Sequence, residues 1–369
     1  MSDIIPLEPA LTTRPRPPRA APPSYAELIC TTNFSFLRGG SHPEELVAAA
    51  MAMGLKAFGV TDRNSFAGVV RGYVTARDLK HSAPDFRYLV GVRLCFADGT
   101  PDIIAYPTDR LAYGRLCQLL TLANQRGDKG KPRLFFTDLL DGSDAGSTSP
   151  LNPQENHATG QLFILMPDET DWGLTEQTLE RLAALAPGRV WVAGAPRFDG
   201  MDRARLNRVD ALARRHGLAM LASNDVLYHA PSRRMLADVL TCIREHLTLE
   251  TAGWQLAANA ERCLKPTAEM ARLFREHPQA LGETQRLIDR IGFSLDQLKY
   301  NYPEETVGNG ETAQQTLERL TWAGAARRFP KGVPESLKST IWSELCLIGY
   351  KGYAAYFLTV HDIVMFARH

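Results

Sequence analysis

YAELICTTNFSFLRG, residues 25–39, read together with GLKAFGVTDRNSFAG, residues 54–68, decides the fold of this chain. In the first stretch a short apolar run at 27–31 enters a polar loop, and helical spacing follows over 42–53. In the second, the apolar run 57–60 ends in Thr61-Asp62, and another helical pattern covers 65–79. Two strand–loop–helix units in succession point to a layered α/β fold or barrel. In such folds the chemistry collects where strands end. Here those ends carry few side chains able to bind a metal.

The alternation continues outward to about residue 260. Further strands are expected at 88–96, 103–106, 162–166, 190–193 and 219–223, and further helices at 110–126, 175–186, 203–216 and 232–245. Spacing alone does not separate a seven-stranded barrel from a doubly wound sheet. Ser41 reads as an N-cap and Pro43 as a first-turn proline for the helix at 42–53. The segment 138–160, rich in Gly, Ser, Asp and Asn, reads as a mobile surface loop. Residues 1–23, including PLEPALTTRPRPPRAAPP, read as a disordered Pro/Arg-rich tail. From 265 onward the pattern is helical and broken by Pro and Gly: 267–276, 284–291, 312–329, 335–348 and 353–368.

Length and composition narrow the class. The chain has 369 residues, enough for roughly two domains. Apolar residues make up 44% and charged residues 22%, as in ordinary globular proteins. With 42 basic and 41 acidic residues the net charge is +1, so no overall basic field advertises nucleic-acid binding. The six cysteines are scattered without a C-x-x-C pair, which argues against a zinc knuckle or a disulfide framework. No apolar run is long enough for a membrane span, and the arginine-bearing N-terminus lacks an apolar signal core. The expectation is a cytoplasmic protein. Neither a G-x-S-x-G elbow around Ser35 nor a phosphate-binding G-x-x-x-x-G-K-[ST] loop is present.

Four blocks, in order, carry a resemblance: TTNFSFLRGGSHPEELV from residue 31, TDRNSFAGVVRGY from 61, ASNDVLYHAPSRRMLADVLTCIRE from 222 and NAERCLKPTAEMARLF from 259. They resemble the PHP domain (polymerase and histidinol phosphatase) that opens bacterial family C DNA polymerases, in the error-prone DnaE-like branch. The resemblance implies an α/β, PHP-type distorted (β/α)7 barrel over 24–264. A mostly helical, incomplete start of the polymerase palm would follow over 265–369. It also implies DNA synthesis in damage-induced mutagenesis and across lesions. Mg²⁺, primer-template DNA and deoxynucleoside triphosphates are implied for the full-length protein, with a sliding clamp and repair accessory proteins as further partners.

The same resemblance marks a site. Metal-binding relatives carry H-x-H where this chain has Ile29 and Thr31, with Glu27 two residues upstream. Their T-D-H is Thr61-Asp62-Arg63 here, their G-x-E is Gly91-Val92-Arg93, and their D-x-H is Asp225-Val226-Leu227. Isoleucine and leucine offer a metal nothing, and arginine repels it. Two carboxylates remain, Asp62 and Asp225, open to reading as a remnant metal site or as structural groups. Arg63 and Arg93 are expected to replace the missing metal by pairing with them. Glu27 reads as a hydrogen-bonded strand-end residue, or as a base or metal ligand, Asn224 as a turn brace, and His229 as a histidine two residues late for the old site. The palm's G-R-G-S loop and P-D-x-D aspartates are absent from the sequence. No catalytic residue, no cofactor and no polymerase activity are therefore expected of these residues alone. The alternative is a metal-dependent PHP phosphoesterase or 3′–5′ exonuclease. The apolar residues Leu345, Leu347, Ile348, Phe357, Val360 and Val364 are expected to lie exposed without the rest of a palm.

Overall fold

The structure, a computed structural model, describes residues 24–141, 156–298 and 310–368. The tail expected at 1–23 and the middle of the loop expected at 138–160 lie outside the described residues. The chain divides into two compact units between Gln297 and Leu298.

The first unit is built on one six-stranded sheet, in the spatial order of the sequence. Its strands are β1 (Ala57–Arg63), β2 (Arg87–Leu94), β3 (Ile103–Pro107), β4 (Gln161–Leu165), β5 (Val190–Gly194) and β6 (Ala219–Ala222). β1 and β2 are parallel, β3 runs antiparallel to both its neighbours, and β4, β5 and β6 are parallel. β3, β4 and β5 are buried along their whole length, which explains why they read as continuous apolar runs. Helices α1 (Pro43–Ala52), α2 (Val69–Asp78), α3 (Arg110–Arg126), α4 (Trp172–Leu185), α5 (Asp202–Arg215) and α6 (Arg234–Glu245) follow in chain order. Leu46, Leu116, Leu179 and Leu206, from α1, α3, α4 and α5, pack with Phe58, Val92, Phe163 and Val192 of the sheet in one core.

The seventh strand, expected at 27–31, is not a regular strand. The segment makes single bridges, Glu27 to Phe58 on one side and Cys30 to Val226 on the other. Gly59 N and Thr61 N donate to the Glu27 and Cys30 carbonyls, while Thr31 N donates to Val226 O and Val226 N to Ile29 O, all within 2.8–2.9 Å. The segment is therefore a strap joining β1 to the chain just beyond β6, and it closes the sheet into the distorted barrel. Each bridge is confined to one register, so no continuous ladder forms.

The inner face is filled by Leu28, Ile29, Leu89, Ile104, Leu162, Ile164 and Tyr106. Tyr106 lies across two glycines: a Cβ on Gly59 would sit 1.9 Å from its Oη, and one on Gly91 would sit 2.6 Å from its ring. Its hydroxyl donates to Leu28 O at 2.6 Å and so anchors the strap from inside.

Three expectations change on contact with the tertiary structure. First, His42, not Ser41, is the N-cap of α1, its backbone N–H donating to Glu45 Oε2. Ser41 Oγ is engaged by His229 instead, accepting from its N–H at 3.0 Å. Second, the ends of the expected loop at 138–160 are fixed. Asp138 is buried, accepts from Arg126 Nη1 and Phe135 N, and its carbonyl accepts from His157 Nδ1–H at 2.8 Å. Third, the domain boundary expected at 264/265 is not where packing divides. α7 (Thr267–Leu273) and α8 (Gln279–Ile288) belong to the barrel unit. Met270 and Phe274 join the outer core, Leu287 and Ile288 close the inner one, and Glu283 accepts from Trp191 Nε1 at 2.9 Å. The amphipathic pattern of α8 did not say what its apolar face covers.

The second unit contains α9 (Ala313–Arg328), α10 (Glu335–Lys351) and α11 (Ala354–Arg368). Leu317, Leu345, Ala354 and Leu358 form its small core. Leu345 is thus buried, contrary to expectation, while Leu347, Phe357, Val360 and Val364 are exposed. Among the described residues no helix is long and apolar enough to cross a membrane.

Candidate functional site at the strand ends

Asp62, near the end of β1, has no exposed surface. Its Oδ1 accepts from Thr32 N (2.8 Å) and Ser35 Oγ (2.7 Å), and its Oδ2 from Thr32 Oγ1 (2.8 Å). Burial pushes its carboxyl pKa up, and these hydrogen bonds pull it back. Gly68 leaves room for it: a Cβ there would lie 2.6 Å from Oδ2. Ser35 is consumed in the same arrangement, accepting from Arg63 N at 2.9 Å. Asp62 thus organises the loop that follows the strap.

The expected pairing of Arg63 with Asp62 is not formed. Side chains alternate across a strand, so neighbours on β1 point apart, and Arg63 Nη1 meets Asp102 Oδ2 at 2.8 Å. Asp102 belongs to no motif in the sequence. The β2–β3 hairpin, in which Arg93 opposes Ile104, brings it to the site.

Arg93 does pair with Asp225, Nη1 to Oδ1 at 2.8 Å, and its Nε meets Asp102 Oδ2 at 2.8 Å. Arg262 completes the group: its Nη2 pairs with Asp225 Oδ2 and its Nε donates to the Asp225 carbonyl at 3.0 Å. Burial opposes ionisation of Asp225, but the guanidinium charges of Arg262 and Arg93 overcome it and hold its pKa at about 2. Asp102 is likewise held below its usual range, against burial, by Arg93 and Arg63. Asp225 adopts a left-handed backbone, φ 44°, a conformation Asp tolerates better than most residues. Arg262 and Asp102 are the site residues that sequence reading missed. Only the position of Arg262 inside the fourth block hinted at it.

Glu27 is a clasp. Its Oε1 accepts from Ile29 N (3.0 Å) and Ser223 Oγ (2.7 Å), and its Oε2 from Tyr25 Oη (2.7 Å) and Asn224 N (2.9 Å). Burial raises its pKa against these four donors. The buried carboxylate ties the strap to the end of β6, which favours the strand-end reading over that of a base. Glu27→Gln would turn an NH₂ group toward two donors, and we expect it to cost about 2 kcal/mol of stability, read as a lower urea midpoint at unchanged slope. Asn224 Nδ2 donates to Glu261 O (2.7 Å) and Cys263 O (2.6 Å), bracing the turn onto the fourth block. His229 Nδ1 lies 2.8 Å from Ser41 Oγ, beside α1, and does not line the cleft. Ile29 is buried in the inner core, while Thr31 lines the cleft.

This donor set does not fit a metal ion. Among the described residues no three His, Cys, Asp or Glu side chains are placed to hold one. The two retained carboxylates are committed, Asp62 to three donors and Asp225 to two guanidinium groups.

Comparison with known proteins bears on the fold and the family. Residues 27–184 match the PHP domain, and residues 315–369 match the bacterial DNA polymerase III alpha NTPase domain. An error-prone DNA polymerase of Rhodopseudomonas palustris (strain BisB5) is 50% identical over 349 residues. The chain carries a PHP domain and is similar to error-prone DNA polymerases. That alignment covers 94% of this chain and 30% of the relative. An error-prone DNA polymerase of Caulobacter vibrioides is 46% identical over 347 residues, again covering 94% of this chain and 30% of its own length. The chain thus spans about 30% of these relatives. Among solved structures, an amidohydrolase from Chromobacterium violaceum aligns with 55% of this chain and 88% of its own, at 16% identity and a TM-score of 0.38.

Proposed function

We propose that this chain is the PHP-bearing portion of an error-prone DNA polymerase, and that its barrel is a scaffold that works without metal. The supporting observation is Arg93: it stands at a motif position that metal-binding relatives fill with a carboxylate, and it bonds Asp102 and Asp225 together. A cation fixed there supplies locally the charge compensation that a bound metal gives in such relatives. In the whole protein the reaction would be deoxynucleotidyl transfer onto a primer, in damage-induced mutagenesis and lesion bypass in the cytoplasm. Mg²⁺ would there stabilise the attacking and leaving oxygens, held by palm aspartates that this sequence does not contain. Primer-template DNA, deoxynucleoside triphosphates, a sliding clamp and repair accessory proteins are the partners this reading carries. The phosphoesterase or exonuclease alternative is disfavoured by the committed carboxylates.

The test is metal analysis of the purified chain, with assays for trimming of DNA 3′ ends and for primer extension. We expect no stoichiometric zinc or manganese, no trimming and no extension. Stoichiometric metal, with hydrolysis abolished by Asp62→Asn, would replace the scaffold by a phosphoesterase. Primer extension by the chain alone would show that the chemistry does not need the palm aspartates.

A further inference from the structure

A helix laid on a barrel normally turns its apolar face to the sheet and its polar face to water. α6 does the reverse. Arg234, Asp238, Thr241 and Arg244, on one side of it, line the cleft at the strand ends. Met235, Leu236, Val239 and Ile243 are all exposed. At about 100° per residue these four share an arc of about 100° on the opposite side of the helix.

The orientation is fixed by bonds to three other segments. Arg244 Nη1 donates to Leu37 O at 2.7 Å, and Arg234 Nη2 donates to Ala257 O at 2.8 Å. Arg233, just before the helix, pairs with Glu45 of α1. Rotating the stripe inward would break these bonds. The stripe also differs from the other exposed apolar residues of the barrel unit: Val70 on α2, Leu111 on α3 and Met201 before α5 stand singly. Single exposed apolar residues are ordinary, whereas a continuous stripe marks a contact surface.

The chemistry of the stripe narrows its occupant. It carries no charge, so it offers nothing to a phosphate. The arginines beside it are taken, Arg233 by Glu45, Arg234 by Asp238 and Arg244 by Glu245, and are not free to draw the face to an anionic membrane. Another apolar helix face fits such a stripe, ridge into groove. The chain spans about 30% of the error-prone polymerases it resembles. A helix in the remaining part of such a polypeptide would be tethered, at an effective concentration on the order of millimolar. A second copy of the chain lacks that advantage.

We propose that the outward face of α6 seats another part of the same polymerase, an apolar helix face from outside the 369 residues of this chain. The inference rests on the reading of the chain as a portion of a longer polymerase. It adds the surface by which that portion is joined to the rest.

The test follows oxidation of Met235 to the sulfoxide by dilute hydrogen peroxide, read by peptide mass spectrometry. In this chain alone Met235 is 65% exposed, and Met201, 61% exposed, is the internal control. The two are expected to react at similar rates. In the whole polymerase carrying this chain, Met235 is expected to react about tenfold or more slowly, with Met201 unchanged. The double variant Leu236→Glu, Ile243→Glu puts two carboxylates on the stripe. Both positions are exposed, so the urea midpoint of the chain alone should not move. In the whole polymerase the double variant should return Met235 to the rate seen in the chain alone.

A Met235 equally reactive in the chain and in the whole polymerase overturns the proposal, as does equal slowing of Met201 or protection that survives the double variant. Protection that appears in the chain alone as its concentration rises assigns the face to a second copy. Protection of the chain alone by phosphatidylglycerol vesicles assigns it to a membrane. Either result also overturns the proposal. A whole polymerase that extends a primer while Met235 stays reactive would sink this inference and leave the proposed function standing.

Discussion

Gly59→Ala is expected to lower the stability of the barrel by about 3 kcal/mol or more, at the upper end for overpacked cores. The added methyl group would meet Tyr106 Oη at 1.9 Å and its ring carbon Cζ at 2.9 Å. Tyr106 cannot step aside, because it is fully buried and its hydroxyl is bonded to Leu28 O. The damage therefore falls on the strap that closes the sheet, not on β1 alone. Tyr106→Phe removes the atom that clashes most. Combined with Gly59→Ala, it should recover part of the loss, so the two changes will be non-additive in a double-mutant cycle. Urea unfolding of the four proteins measures this. Additive losses would mean that the tyrosine already moves freely and that the strap is held by other contacts.

The second large effect is expected at Arg93. Arg93→Ala leaves Asp102 and Asp225 each with one guanidinium partner in place of two, in a largely buried setting. A loss of about 3 kcal/mol at neutral pH follows. The pH dependence gives the sharper test. With Asp225 held at about 2, its folded pKa lies below the unfolded value of about 3.9. Its contribution is thus present above about pH 4 and lost as pH falls toward 2. Asp102, also held low, adds in the same direction. Glu27 and Asp62 have raised pKa values and act with the opposite sign, since the folded state binds their protons more readily as pH falls. The difference between wild type and Arg93→Ala isolates the arginine-linked groups: it should be largest at neutral pH and shrink as pH falls from about 4 to 2. A difference that stays constant down to pH 2 would assign Arg93 a packing role only.

The sequence carried the architecture well wherever apolar runs were continuous. β3, β4 and β5 are legible because both faces of each strand are buried, and α3 because seventeen residues sustain one helical period. The strap was misread as an ordinary strand because its apolar residues look the same whether they form a ladder or two isolated bridges. α7 and α8 were assigned to the second domain because a change from mixed to helical patterning looks like a boundary. Their apolar faces instead close the barrel, a fact contained in contacts rather than in periodicity.

The site divides in the same way. The four-block resemblance implied that metal ligands are replaced at Ile29, Thr31, Arg63, Arg93 and Leu227, because the side chains standing at those positions can be read directly from the sequence. The four-block resemblance likewise located Asp62 and Asp225 at strand ends. Only the tertiary structure decided the partners. Strand alternation sends Asp62 to hydroxyl and amide donors and Arg63 away from it. The antiparallel β2–β3 hairpin supplies Asp102, and the chain beyond β6 returns to supply Arg262. Ion pairing depends on a few ångströms of distance between residues as much as 132 apart in sequence, as in Arg93–Asp225, and no local pattern encodes that separation.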